Sequence, residues 1–122
     1  MADALSLKPV TWLGSSRNDL RDFPDPVQDH IGYALYVAQC GGKHRDAKVL
    51  TGFDGAGVVE IVKDHRGDTF RAVYTLRYAE AVYILHVFQK KSKSGRATPR
   101  RDMELIQQRM REAEQIAKEM EP

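Results

Sequence analysis

Apolar side chains recur along this chain with two different periods, and the period changes where the architecture should change. Val27, Ile31, Ala34, Leu35 and Ala38 fall at three- and four-residue spacing, which predicts a helix with one buried face. Tyr33, Tyr36 and Val37 widen that face. Asp25 and Pro26 suit the cap and first turn of this helix, and Cys40-Gly41-Gly42 should end it, because glycine takes the left-handed cap conformation. A second stripe follows Thr98-Pro99: Met103, Ile106, Met110, Ala113, Ala117 and Met120 share one side of a helix whose other faces carry Glu, Arg and Gln.

Between the helices the period drops to two. Val58–Lys63 predicts a strand, Asp64–Asp68 a turn, and Thr69–Arg77 a second strand that alternates cleanly. Phe70, Ala72, Tyr74 and Leu76 form one set there. Arg71, Val73, Thr75 and Arg77 form the other, and its two arginines mark it as the face the final helix leaves open. A tight link at Tyr78–Glu80 leads into a third strand, Ala81–Gln89. Alternation through His86 puts Ile84, Phe88 and Lys90 on its side, and Tyr83, Leu85, Val87 and Gln89 on the other. Near the N-terminus, Val10–Leu13 predicts a short strand stopped by Gly14, and Ser15 or Ser16 caps a helical turn through Arg17–Leu20. Lys43–Gly57 reads as a loop. The expected order is β-α-α-β-β-β-α: one α+β domain over residues 1–122, with an antiparallel sheet of about four strands packed against helices.

Charge sharpens this picture more than composition does. The chain has 122 residues and a net charge of +2. Lys90, Lys91, Lys93, Arg96, Arg100 and Arg101 crowd the interval between Glu80 and Asp102 with no acid among them, while residues 1–80 carry ten basic and eleven acidic side chains. A basic run at the end of an apolar strand presents positive charge on a rigid support and suits a phosphate backbone. The single Cys40 excludes an internal disulfide framework. Met1–Lys8 lacks the pattern of a secretory signal, and the longest apolar run is too short to span a membrane, so a cytoplasmic protein is expected. Gly52, Gly55 and Gly57 are followed by a strand and by no Gly-Lys-Ser/Thr, which excludes a phosphate-binding nucleotide loop. His30, His44, His65, His86 and Cys40 show no metal-ligand spacing, and paired carboxylates of a metal-dependent nuclease are not evident. No cofactor or metal is expected.

The phrases Gly57–Ile61, Phe70–Thr75 and Tyr83–Ser92, followed by Thr98-Pro99, resemble the phage-derived Gp49-like proteins, in the HigB branch of the RelE/ParE toxin superfamily. The resemblance runs from Val10 to the final helix. It implies a small RelE-like domain acting as a ribosome-dependent messenger-RNA interferase, neutralised by a helix-turn-helix HigA-like antitoxin. The ribosome and messenger RNA are the other implied partners; self-association stays open. The arginine that such proteins carry in the middle strand matches Arg71, and the basic residue after the last strand matches Lys90 or Lys91. The preceding strand departs from the pattern. Val62 stands where a cation is expected, and Lys63 follows one position later, which on a strand means the opposite face. Two alternatives follow: a non-enzymatic ParE-like toxin that binds DNA gyrase, or a member that only binds its antitoxin.

Endonucleolytic cleavage through the 2′-hydroxyl needs charge beside the phosphorane and a route for protons. Arg71, Lys90 and Lys91 answer the first need, and His86 is the candidate for proton transfer. Arg77, Lys93, Arg96, Arg100 and Lys63 are the expected RNA contacts. Glu60 is expected to pair with Arg71 or another strand arginine, or to hold the phosphate-binding arginine in place, rather than act as a base.

Overall fold

The computed structural model describes residues 6–53, 55, 57–90 and 98–120. Strand β1 (Val10–Trp12) leads through α1 (Ser16–Arg21) into α2 (Asp25–Gln39). Then come β2 (Lys48–Val49), β3 (Val58–His65), β4 (Asp68–Thr75), β5 (Val82–Lys90) and α3 (Arg100–Glu119). The glycines after α2 behave as anticipated. Gly41 has φ of +91°, and the amides of Gly41 and Gly42 return to the carbonyls of Ala38 and Val37 at 2.9 and 3.0 Å.

β3, β4 and β5 form the expected antiparallel meander, but the sheet has five strands in the order β1-β5-β4-β3-β2. It is mixed rather than wholly antiparallel, because β1 runs parallel to β5 with Val10, Thr11 and Trp12 opposite Val82, Tyr83 and Ile84. The fifth strand, β2, lies inside the segment expected to be loop and pairs Lys48 and Val49 with Glu60 and Val59. Alternation reports which side chains share a face. It does not report the direction of the neighbouring strand, and two-residue pairing leaves almost no periodic trace.

Helices cover both faces of the sheet. Val27, Ile31, Ala34, Leu35 and Ala38 of α2 pack on Val59, Ile61, Phe70, Ala72, Tyr74, Ile84 and Val87. Ile106, Met110, Ala113 and Ala117 of α3 pack on Val58, Val73, Tyr83 and Leu85. Ile106 is completely buried, and its removal from water stabilises the α3 layer by about 1.5–3 kcal/mol. This corrects the expected open face. The set Arg71, Val73 and Thr75 lies on the α3 side and is buried, with Arg71 only 5% exposed. Arginine at alternate positions signals solvent only when no buried carboxylate meets it, and here Glu60 does. Arg77 is exposed, beside Gln107, Met110 and Arg111 of α3.

A register shift in the β4–β5 pairing matters for the site. Val73 sits opposite His86, yet Tyr74 sits opposite Ile84, which leaves Leu85 as an extra residue on β5. A bulge of this kind interrupts alternation. Leu85 and Tyr83 therefore join His86 on the α3 side, and Ile84 points to α2. The expected grouping of Ile84 with His86 is thereby reversed, whereas Phe88 stays with His86, its ring stacked on the imidazole.

Candidate phosphate-binding site

The face shared by β3, β4 and β5 changes character along its length. Where α3 crosses it, the side chains are apolar. Beyond the bulge, towards the start of α3, they become polar and charged: Glu60 from β3, Arg71 from β4, His86 and Lys90 from β5.

Arg71 is fixed by a cross-strand partner. Glu60 is opposite Val73 and Arg71 is opposite Val62, so Glu60 and Arg71 are diagonal neighbours on one face. Arg71 Nη1 donates to Glu60 Oε2 at 3.0 Å, with the two side chains only 6% and 12% exposed. The hydroxyl of Thr98 donates to the same carboxylate oxygen at 3.4 Å, tying the approach to α3 to this pair. Lys90, 7% exposed, is opposite Thr69, and Arg71 is opposite Phe88. Lys90 therefore lies diagonal to Arg71 on the same face, with backbones roughly 7–8 Å apart. Burial weakens solvent screening, so the charges of Arg71, Glu60 and Lys90 act on one another more strongly than exposed charges would.

His86 is held on both sides. Its Nε2 meets Asp102 Oδ1 at 2.8 Å, and its Nδ1 accepts from Arg109 Nη1 at 3.4 Å. Its ring stacks on Phe88 with centroids 4.5 Å apart and planes at 14°. Arg109 Nη1 also donates to the carbonyl of Leu85 at 2.9 Å, satisfying the backbone at the bulge. These contacts select the neutral tautomer with the proton on Nε2. A second proton on Nδ1 would face the Arg109 guanidinium. Burial is the main cause that lowers the His86 pKa; Asp102 opposes it and Arg109 reinforces it. Asp102 stands in the first turn of α3, where a carboxylate is favoured by the helix dipole. Two grooves flank His86, one of about 520 Å³ bordered by Arg101, Asp102 and Gln108, the other of about 270 Å³ bordered by Asp19, Asp22 and Gln89.

Three of the residues singled out in the sequence thus converge: Arg71, Lys90 and His86 share one face. Lys63 does not join them. It is opposite Phe70, on the α2 side, close enough to His30 to lower that imidazole's pKa after the larger effect of burial. Val62 occupies the position across from Arg71 and is 39% exposed. Arg77 lies two residues beyond the end of β4, its guanidinium 5.7 Å from the Tyr78 ring. Arg100 is exposed at the start of α3 and pairs with Glu104 at 3.5 Å. Lys91, Lys93 and Arg96 lie outside the described residues. His44 is buried against the α2 layer, far from Arg71 in the fold, and His65 ends β3 opposite Asp68.

Asp102 and Arg109 escaped the sequence reading, although each left a signal. Asp102 is the first acid after the basic run. Arg109 falls three residues after Ile106 and four before Ala113, a charge set within an apolar stripe. Among the described residues, no cluster of three or more His, Cys, Asp or Glu side chains is arranged to hold a metal ion. No helix among them is long and apolar enough to cross a membrane.

The family described as phage-derived protein Gp49-like matches the chain over residues 18–111. No curated protein matches it. Among solved structures, a chain of the toxin–antitoxin complex RelBE2 from Mycobacterium tuberculosis is similar, at 20% identity over 72% of this chain and 97% of that one, with a TM-score of 0.47.

Proposed function

The chain belongs to the phage-derived Gp49-like family, and from that premise we propose that it is the toxin of a toxin–antitoxin pair. Its activity in this reading is ribosome-dependent, metal-independent cleavage of messenger RNA in the cytoplasm. A helix-turn-helix antitoxin of the HigA type restrains it. The observation that supports the reading is the buried Arg71, braced by Glu60 and set diagonally from Lys90. In cleavage the 2′-hydroxyl gives its proton to water as its oxygen bonds to phosphorus. The bond to the 5′-oxygen breaks and that oxygen takes a proton from water, leaving a 2′,3′-cyclic phosphate and a 5′-hydroxyl. Negative charge on the phosphorane grows in between. Two preorganised cations stabilise that charge without reorganising at the moment of reaction. The ribosome supplies the in-line RNA conformation, so the small protein need not. His86 has both nitrogens engaged by Asp102 and Arg109. Its role in this proposal is therefore to position α3 and the β5 end that carries Lys90, with proton transfer as the lesser alternative. Lys91, Lys93, Arg96 and Arg100 extend the contact to RNA through charge.

One observation favours a second reading. Val62 places no cation across from Arg71, and Lys63 points to the other face, which suits a non-enzymatic toxin directed at DNA gyrase or a chain that only binds its antitoxin. Primer extension on a defined message with ribosomes separates these. New 5′ ends that require ribosomes and vanish with the Glu60→Leu/Arg71→Met double variant, which keeps the fold, support cleavage. No new ends, with loss of gyrase supercoiling, selects the gyrase reading; silence in both assays selects antitoxin binding alone.

A further inference from the structure

The side of α2 turned away from the sheet carries a feature that the cleavage site does not use. His30, Tyr33 and Tyr36 are spaced three apart and line one side of the helix. Tyr33 is 60% exposed and Tyr36 49% exposed, so neither ring is there to fill the core. Four rings form a continuous row. Tyr36 and Tyr33 stack at 6.4 Å, Tyr33 meets His44 edge-on at 5.6 Å, and His44 meets His30 edge-on at 5.5 Å. His30, Tyr33 and His44 of the row border an open groove of about 550 Å³, whose rim carries the exposed cations Lys43 and Arg45, and Tyr36 continues the row beyond it. The acid in the groove, Asp46, is already engaged by His30, His44 and Arg45 at 3.9–4.0 Å.

Gly32 adds an independent sign. It lies inside α2, where glycine costs about 1 kcal/mol relative to alanine. A methyl group there would touch nothing within 4 Å, so packing does not demand glycine. It sits one turn before Tyr36 and leaves bare backbone on the exposed side of the helix.

We infer that Tyr33 and Tyr36, with Lys43 and Arg45, form a second RNA-binding surface, a stacking platform for unpaired bases on the opposite side of the sheet from Arg71. Flat exposed rings accept any base, and neighbouring cations accept the phosphates between them. Charge decides the occupant. The groove holds Lys43 and Arg45 against one acid, Asp46, which Arg45 itself meets at 3.9 Å. Lys63 lies near enough to His30 to lower its pKa after the larger effect of burial, so the balance is positive and suits a polyanion rather than an apolar protein helix. The inference stands apart from the cleavage reading, since it needs neither Arg71 nor turnover.

The test is fluorescence anisotropy with a short labelled oligouridylate, and with duplex RNA of the same length for comparison, on the full chain. Tyr33→Ala and Tyr36→Ala should each weaken single-strand binding about 5- to 10-fold, in line with the stacking contribution of a base. Tyr33→Phe should bind as the wild type does, since it keeps the ring. Lys43→Ala should reduce the salt dependence by roughly one phosphate contact. The same losses in a Glu60→Leu/Arg71→Met background, where the cation of the proposed site is gone and the fold is kept, separate this surface from that site. Unchanged binding by the double tyrosine variant overturns the inference. So does equal affinity for duplex and single strand, or a tyrosine effect confined to antitoxin binding, which would assign the surface to a protein partner. Circular dichroism on each variant checks the fold, and Tyr33→Phe guards against a folding artefact.

Discussion

Removing either member of the Glu60–Arg71 pair should damage the fold far more than removing both. The two side chains meet at 3.0 Å and are 12% and 6% exposed. With charge centres about 4 Å apart and an effective dielectric constant of about 20, their attraction is about 4 kcal/mol. Arg71→Met leaves Glu60 as a mostly buried anion, and Glu60→Leu takes from Arg71 the carboxylate it meets at 3.0 Å. Each should therefore cost about 3–5 kcal/mol. The double variant buries two apolar side chains of similar volume in place of the pair, which brings it back to within about 1 kcal/mol of the wild type. The coupling term of the cycle is then large, above about 3 kcal/mol. Urea unfolding of the four proteins measures it, provided their denaturant slopes agree. Additive losses, or single losses below about 1 kcal/mol as for an exposed ion pair, would refute the reasoning. The ribosome assay adds a second axis, because the double variant should be stable yet inactive, which separates Arg71's part in the fold from its part in chemistry.

Acid should destabilise the protein through its histidines. The folded-state pKa values of His86 and His30 are both lowered, mainly by burial. The unfolded chain thus takes up protons first, and the stability present above about pH 6.5 falls as pH drops towards the folded values. His86→Asn should flatten that fall in unfolding measured from pH 7.5 to 5, and an unchanged slope would contradict it. Gly14→Ala should destabilise by about 2 kcal/mol or more in thermal melts, because Gly14 has φ of +55° and an added methyl would collide with the Arg109 guanidinium. Gly32→Ala should do the opposite and raise stability by about 0.5–1 kcal/mol, since its methyl group meets open space. Val62→Lys should increase ribosome-dependent cleavage by placing a cation beside Arg71, while Lys63→Ala leaves cleavage unchanged because Lys63 points to α2. Matching effects from the two would show that the faces are misassigned.

Much of the molecule was legible without coordinates, for reasons that are local. The stripes of α2 and α3 are periodic over three or more turns, and the alternation of β4 names which side chains travel with Arg71. Even the offset of Val62 and Lys63 was readable, because a one-residue step along a strand always changes face. A pairing of Glu60 with a strand arginine was readable from opposite charge on adjacent strands, and the register chose Arg71. Other features belong to no single segment. The parallel pairing of β1 with β5 depends on how α1 and α2 return the chain, and the bulge at Leu85 is a mismatch between two strands. Burial of the Arg71 face depends on a helix some thirty residues later in the chain. The tyrosines of α2 show the limit most clearly. Their spacing makes Tyr33 and Tyr36 look like an extension of the core face, yet the sheet reaches only Val27, Ile31, Ala34, Leu35 and Ala38. Periodicity orders side chains around a helix axis. How wide an arc is covered depends on the size of the surface that packs against it, and only the assembled tertiary structure supplies that surface.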